Sequence, residues 1–457
     1  MSGQPQLEES GGAVEMDITV ARYAPVTACD GFTAEEIGEH QPPDGFPFLI
    51  DRRTGRIVEP AFRYIYERAV SRLRTSRRQK LTLESAAAAA DNLRLWWGYT
   101  RYRGKSWDRI TAIDIDAYRR GLGRVVSPRT GEPLAEGTKR QRIVQVLELY
   151  RWSNAEGLTA VDEKALGRDA TPSTKGEAAA KIRVLTYEQW KRLRPLVGPL
   201  PSDPDYDPVS RPCRDRLIWE IQIHTGMRLK EAVGLTVHQI RDLGSSMPVG
   251  DDEMFAAKAM WLTVVKGGSS RARDAIVPNW LLREILLYTE GERSERGLAV
   301  QAFLARKKPA GRAALREPDA LFLNHASAHR DPGAKLKRKN LQRTVAATVV
   351  AAGLVETVHV VDPATGQRLP RHRPLFSDHG LRHTAAVWRY MAERAGGNPA
   401  PWRPVMLMLG HRDEATTQRI YLKASNTFEA QVSDAALRFF RALRPAPIED
   451  DGDESDI

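Results

Sequence analysis

The chain has 457 residues, 42% hydrophobic and 28% charged, a balance that fits a soluble globular protein of two or three domains rather than a disordered one. No apolar run reaches the roughly 18–20 residues that span a bilayer. Two cysteines, Cys29 and Cys213, fit neither a disulfide framework nor a zinc site, so no metal and no cofactor is expected. The net charge is +11, and the last nine residues hold six acids; setting those six aside leaves +17 on the remainder, which favours a polyanionic partner. The N-terminus (MSGQPQLEESGG) lacks the basic-then-apolar pattern of a secretory signal, and a cytoplasmic protein is expected.

Residues 1–60, rich in Pro, Gly and acids, read as a partly ordered arm with a short hairpin around FPFLIDRRTGRIVEP. From Ala61 the pattern turns helical, with Tyr64, Ile65, Ala69 and Leu73 on one face. A second helix is capped by Thr82, with Ser85 as the alternative, and a third opens at Thr111 with Asp114 three residues on, close to a capping box. A fourth sets Ile143, Val146, Leu147 and Tyr150 on one stripe and basic residues on the other, and Gly157 ends it. Residues 61–158 thus form a small helical domain with basic polar faces. Residues 159–183 carry no apolar stripe and read as a linker. A second, mostly helical domain covers 184–444; its one clear hairpin is AMWLTVV and ARDAIVP around the turn KGGSSR. The apolar run Val345–Val355 reads as a buried helix broken by Gly353, and 445–457 as an acidic disordered tail.

Four separated segments of the second domain carry chemistry. In HTGMRLKEAVGL an apolar helix stops at Thr225–Gly226 and a new one begins with Arg228 in its first turn, where a guanidinium could clamp a phosphate; a surface pair with Glu231 explains it as well. In the hairpin turn, Lys266 could reach into a groove as a general acid, although turn lysines are ordinarily just solvated. In SDHGLRHTAAV, Ser377 or Asp378 caps a helix that brings His379, Arg382 and His383 nearly onto one face, while Leu381 and Ala385 turn inward. A titratable imidazole beside a permanent cation suits a phosphate whose charge grows in the transition state. In MLMLGHRDEATTQRIYLKA a helix ends at Gly410, His411 follows, and a new helix from about Asp413 carries Thr416, Thr417 and Tyr421, the last tyrosine of the chain. A phenol needs nearby cations or a base to attack a phosphate.

Arg228, Lys266, His379-x-x-Arg382-His383, the Gly410-His411 corner and Tyr421 stand in an order and spacing that resemble the tyrosine recombinase (phage integrase) family. The resemblance covers residues 62–440. It implies a mainly α fold: an N-terminal helical core-binding (SAM-like) domain, and a mixed α catalytic domain with a small antiparallel β-sheet. It also implies strand breakage and rejoining through a 3′-phosphotyrosyl bond, without ATP or metal. Arg228 and Arg382 would grip the scissile phosphate, His379 would assist proton transfer, Lys266 would protonate the 5′-oxygen, His411 would hydrogen-bond the phosphate, and Tyr421 would be the nucleophile. The expected partners are double-stranded DNA bearing inverted repeats and a homotetramer on that DNA, formed from free monomers or weak oligomers, with no membrane. The segment TFEAQVSDAALRFFRALR could dock onto a neighbouring protomer or pack within its own. The interval from His411 to Tyr421 is one residue longer than the family's usual spacing, which a local bulge would absorb. A type IB topoisomerase and a catalytically silent DNA-binding protein of the same fold are the competing readings.

Overall fold

A computed structural model describes residues 17–24, 41–70, 81–127, 132–162, 165, 182–245, 257–266, 269–306, 316–362, 365–411, 413–415, 417–418 and 420–421. By its contacts the chain divides into two compact units, residues 1–178 with 358–371, and residues 179–357 with 372–457. The chain is mainly helical with small two-stranded sheets.

In the first unit, strand β1 (Ile18–Arg22) pairs antiparallel with β2 (Pro47–Asp51), Ile18 facing Asp51. The short hairpin expected within 46–60 is present: Asp51 N–H donates to the Arg56 carbonyl and Val58 N–H to the Leu49 carbonyl, both at 2.9 Å, around a turn closed by Gly55 N–H on the Asp51 carbonyl. Ile18, Phe46, Leu49 and Val58 enter the core, whereas Ile57 is 50% exposed. Part of the arm is therefore built into the helical unit. Arg101 closes the join by pairing with Asp51, and that hydrogen-bonded guanidinium holds the carboxyl down at about 2.

The helices are α1 (Glu59–Ala69), α2 (Leu83–Tyr102), α3 (Ala112–Leu122) and α4 (Glu136–Ala155). Thr82 caps α2 by accepting from Ser85 N, and Thr111 with Asp114 forms the capping box of α3. Their apolar stripes meet around Trp96, which lies edge-on to Tyr118 at 5.0 Å and to Tyr150 at 5.9 Å. The Tyr150 hydroxyl accepts from Trp96 Nε1 at 3.3 Å and donates to the Trp107 carbonyl at 2.9 Å, so these two polar tips are satisfied, whereas the buried Tyr118 hydroxyl has no partner among the described residues. Two cations are less settled. Arg94 Nε and Arg142 Nη1 are buried atoms without an acceptor among the described residues. Burial, and then the Arg94 charge, depress the Arg142 pKa, with Tyr118 opposing them.

The second unit runs through α5 (Tyr187–Val197), α6 (Arg214–Thr225), α7 (Leu229–Val233) and α8 (Val237–Gly244). It continues through β3 (Ala257–Lys266), β4 (Ser269–Pro278), α9 (Asn279–Thr289), α10 (Glu295–Leu304), α11 (Arg338–Ala351), α12 (Asp378–Ala395) and α13 (Trp402–Leu409). The β3–β4 hairpin matches the expected strands, with Val264 opposite Arg271 and Lys266 opposite Ser269. A further two-stranded sheet, β5 (Val355–Val361) with β6 (Arg368–Pro374), of which residues 358–371 are counted with the first unit, goes beyond the single hairpin expected within 184–444. Its strand RLPRHRP is exposed along nearly its whole length and has no alternating apolar residues to betray it. Val345 and Val349 of α11 are buried, and Gly353 follows its end at φ 69°.

Helix α6 is buried on every side because it serves two cores. Leu217, Ile218 and Ile221 pack with α7, α8 and α9, while Trp219 and Ile223 pack with α5, α11 and α12. Its Glu220, wholly inside, is tolerated because Arg216 Nε lies at 2.7 Å and Arg194 Nε at 3.0 Å. This rigid helix delivers Gly226 to the site described next. Among the described residues no helix is long and apolar enough to cross a membrane. The linker core 166–181, the segment 427–444 and the tail 445–457 lie outside the described residues.

Candidate active site

The site assembles at two helix ends. α6 stops at Gly226 (φ 63°) and α13 at Gly410 (φ 62°), both in the left-handed conformation that a side chain resists. At Gly410 a Cβ would also fall 2.7 Å from Arg273 Cδ. Carbonyls at such ends lack intrahelical donors, and Arg382 of α12 supplies them. Its Nη1 donates to the Gly226 carbonyl and its Nη2 to the Leu409 carbonyl at 2.6 Å. The side chain is only 2% exposed and is fixed before any substrate arrives.

Glu231 is the hub beside it. Its carboxylate accepts from Arg273 Nη2 at 2.6 Å, from Arg228 Nη1 at 2.9 Å and from the Arg228 backbone N–H at 2.8 Å, with Arg382 Nη1 at 3.9 Å. Arg273 comes from β4 and also donates to the Met408 carbonyl, tying the hairpin to α13. Burial would raise the Glu231 pKa, but Arg273, the Arg228 N–H and Arg382 hold it below its ordinary value. Three guanidinium groups thus share one carboxylate. The strain shows in Arg382, whose pKa falls to about 10, first through burial and then through Arg228 and Arg273. Arg228 does pair with Glu231, yet the same carboxylate serves Arg273, so that pair is part of the cluster and not an isolated surface bridge. The helix that Arg228 opens is one short turn, and Glu231 itself occupies the first N–H.

Tyr421 lies against this cluster. Residues 414–415, 417–418 and 420–421 are helical, and Tyr421 is 2% exposed. Its hydroxyl stands 3.0 Å from His383 Nδ1. The His383 ring meets the His379 ring edge-on at 4.5 Å, and the His411 ring runs nearly parallel to Tyr421 at 6.4 Å. His411 Nδ1 is held by Thr417 Oγ1 at 2.8 Å. Burial raises the Tyr421 pKa, with Arg382 and Arg228 opposing it, so the phenol keeps its proton near neutrality. Burial pushes His383 down to about 3, followed by His379, Arg382 and His411. His379 keeps an exposed edge; the protein crowded around its ring, and then Arg382, lower its pKa. The helix cap also differs from expectation: Ser377 stands at the N-cap without a side-chain bond, and the Asp378 carboxylate accepts from Gln342 Nε2 at 3.2 Å.

The structure therefore brings together Arg228, His379, Arg382, His411 and Tyr421. Lys266 ends β3, but its side chain lies outside the described residues.

Residues 202–427 match the family model described as the phage integrase family. The chain belongs to that family. The tyrosine recombinase XerD of Corynebacterium glutamicum is 25% identical over 309 residues, 68% of this recombinase and 77% of XerD. Among solved structures, the XerH site-specific recombinase in a post-cleavage complex with a palindromic difH substrate is 16% identical, with a TM-score of 0.44, covering 77% of this chain and 80% of that one. A lambda integrase dimer on a COC′ core site is 13% identical, with a TM-score of 0.44, covering 79% and 94%.

Sequence reasoning left three parts of this phage integrase site without a role. His383 stood in the cluster, Arg273 stood in the hairpin motif, and Glu231 entered only as a neutralising partner of Arg228. A helix-face argument places His383 beside His379, but only the return of the chain after Gly410 sets it against Tyr421. Arg273 gave no signal at all, since a strand arginine is ordinarily solvent-facing.

Proposed function

We propose that this recombinase breaks and rejoins double-stranded DNA at a specific site with inverted repeats, through a 3′-phosphotyrosyl bond on Tyr421, and that it acts in the cytoplasm to integrate or excise a mobile element. The observation that carries this reading is the surplus of cations beside one phenol: buried Arg273 and Arg382 and half-buried Arg228 around Glu231, with Tyr421 against them. Such a surplus is costly until an anion enters. A scissile phosphodiester supplies that anion, and its charge grows as the phenol attacks, so fixed guanidinium groups stabilise the transition state more than the ground state.

In this reading Arg228 and Arg382 hold the non-bridging oxygens and His411, oriented by Thr417, donates to the phosphate. His379 assists proton transfer and Lys266 protonates the 5′-oxygen as it leaves. The phosphotyrosyl bond conserves the energy of the broken strand, and a 5′-hydroxyl reverses the step. Exchange of strands in pairs calls for a homotetramer on DNA, drawn from monomers or weak oligomers in solution.

The test uses a nicked duplex carrying the site selected by this protein from a randomised duplex pool. The wild-type chain should become covalently linked to it, whereas Tyr421→Phe should bind it and form no adduct. A persistent adduct would move the nucleophile elsewhere. Relaxation of any supercoiled plasmid irrespective of sequence would instead favour the type IB topoisomerase.

A further inference from the structure

We infer that His383 is the base that takes the proton of Tyr421 when the phenol attacks, with His379 assisting from beside it without taking that proton itself; the inference rests on the recombinase reading above and names a residue for one of its steps. Among the described residues His383 Nδ1 is the hydrogen-bond partner of the Tyr421 hydroxyl, at 3.0 Å. The other two imidazoles are placed for different work. His411 turns Nδ1 to Thr417 Oγ1 and lies ring-parallel to Tyr421, while His379 meets the His383 ring edge-on. Because Tyr421 keeps its proton, its O–H donates and the His383 nitrogen accepts, which requires the tautomer protonated at Nε2.

The step balances. A bond forms between Tyr421 Oη and phosphorus while the bond from phosphorus to the 5′-oxygen breaks. The phenolic proton passes to His383 Nδ1, and the leaving oxygen takes its proton from Lys266 in the role proposed for it. In rejoining, the 5′-hydroxyl attacks, Oη departs, and the imidazolium of His383 returns its proton to the phenol.

The groups that face His383 are His379 and Arg382 of its own helix, and Tyr421 and His411 of the returning segment. Burial first, and then His379, Arg382 and His411, disfavour an imidazolium at His383. A bound phosphate offsets their charge, and its growing negative charge offsets more in the transition state. The base therefore gains strength as DNA arrives, and the nucleophile is not activated in the free protein.

The experiment measures the rate of Tyr421 adduct formation on the selected nicked duplex, over a pH series, for wild type, His383→Gln, His383→Ala and His379→Gln. Both His383 variants should keep DNA affinity within about threefold and lose about 10²–10⁴-fold in rate at neutral pH. Their rates should then climb by about one decade per pH unit as hydroxide replaces the base, and added imidazole should partly rescue His383→Ala. His379→Gln should show neither the climb nor the rescue. A duplex with sulfur in place of the scissile 5′-oxygen, whose leaving group needs no acid, should restore Lys266→Ala but not His383→Ala. His383→Gln fills nearly the same space, so it decides if the alanine variant fails to bind. A His383→Gln rate within about threefold of wild type and without the added pH slope would overturn the inference and leave the recombinase reading intact. No wild-type adduct, or an adduct with Tyr421→Phe, would instead strike at that reading itself.

Discussion

Replacing Glu231 with glutamine tests whether one carboxylate holds the guanidinium cluster together. The amide keeps a single acceptor oxygen and turns an NH2 group toward an arginine, where hydrogen bonds of 2.6, 2.9 and 2.8 Å now end. Breaking a buried ion pair on one side costs roughly 3–5 kcal/mol. The Arg228 side chain is 33% exposed and its share is screened, whereas Arg273 at 8% is not. The retained acceptor offsets a little more, so the expected loss is about 3 kcal/mol, or roughly 6–12 °C in Tm for a unit of this size. Because the native carboxyl sits below its ordinary 4.5, its stabilisation is complete above that pH and fades as pH falls through the depressed value. The gap between wild type and Glu231→Gln, followed by circular dichroism melts, should therefore hold through neutral pH and close in acid. Arg273→Met, alone and combined with Glu231→Gln, should give a coupling energy of at least about 1 kcal/mol. A Tm shift below about 2 °C, or additive mutants, would refute the hub.

Arg382→Ala should reduce adduct formation at least about 10²–10³-fold while DNA affinity, followed by gel shift, falls less than tenfold, because a fixed cation contributes most when charge develops. Equal losses would contradict that role. Arg142→Met should raise the Tm of the protein, since a buried atom without an acceptor is removed. A lowered Tm would show that the guanidinium contributes to the fold. Thr417→Val should leave Tm within about 2 °C yet slow cleavage roughly tenfold by freeing the His411 ring; an unchanged rate would show that the ring needs no such hold.

Much of this was legible in the residues. Thr82, Thr111 and Gly157 mark helix ends by chemistry that acts within a few residues, and the segments AMWLTVV and ARDAIVP flank a turn rich in Gly and Ser. Four of the six expected site positions converge for the same reason: Arg228, Arg382 and His411 sit next to, or one helix turn from, a helix end, and His379 sits in the first turn of α12, while Tyr421 joins them from the segment that follows Gly410. What stayed hidden depends on distant chain. β2 pairs with a strand about 30 residues earlier, and RLPRHRP carries no apolar code for a strand. Arg273 and Glu231 acquire meaning only when β4 and α7 meet α13, a juxtaposition no spacing within either segment encodes. His383 was visible on its helix face, but its partner was set by the turn at Gly410.

Arg382 closes two helix termini, and its Nη1, which closes one of them, also faces the hub. Local integrity and reactivity are thereby fused in one side chain. A descendant of this chain that abandoned strand cleavage yet stayed folded would shed Tyr421, whose hydroxyl makes one bond among the described residues, to His383, and would keep Arg382.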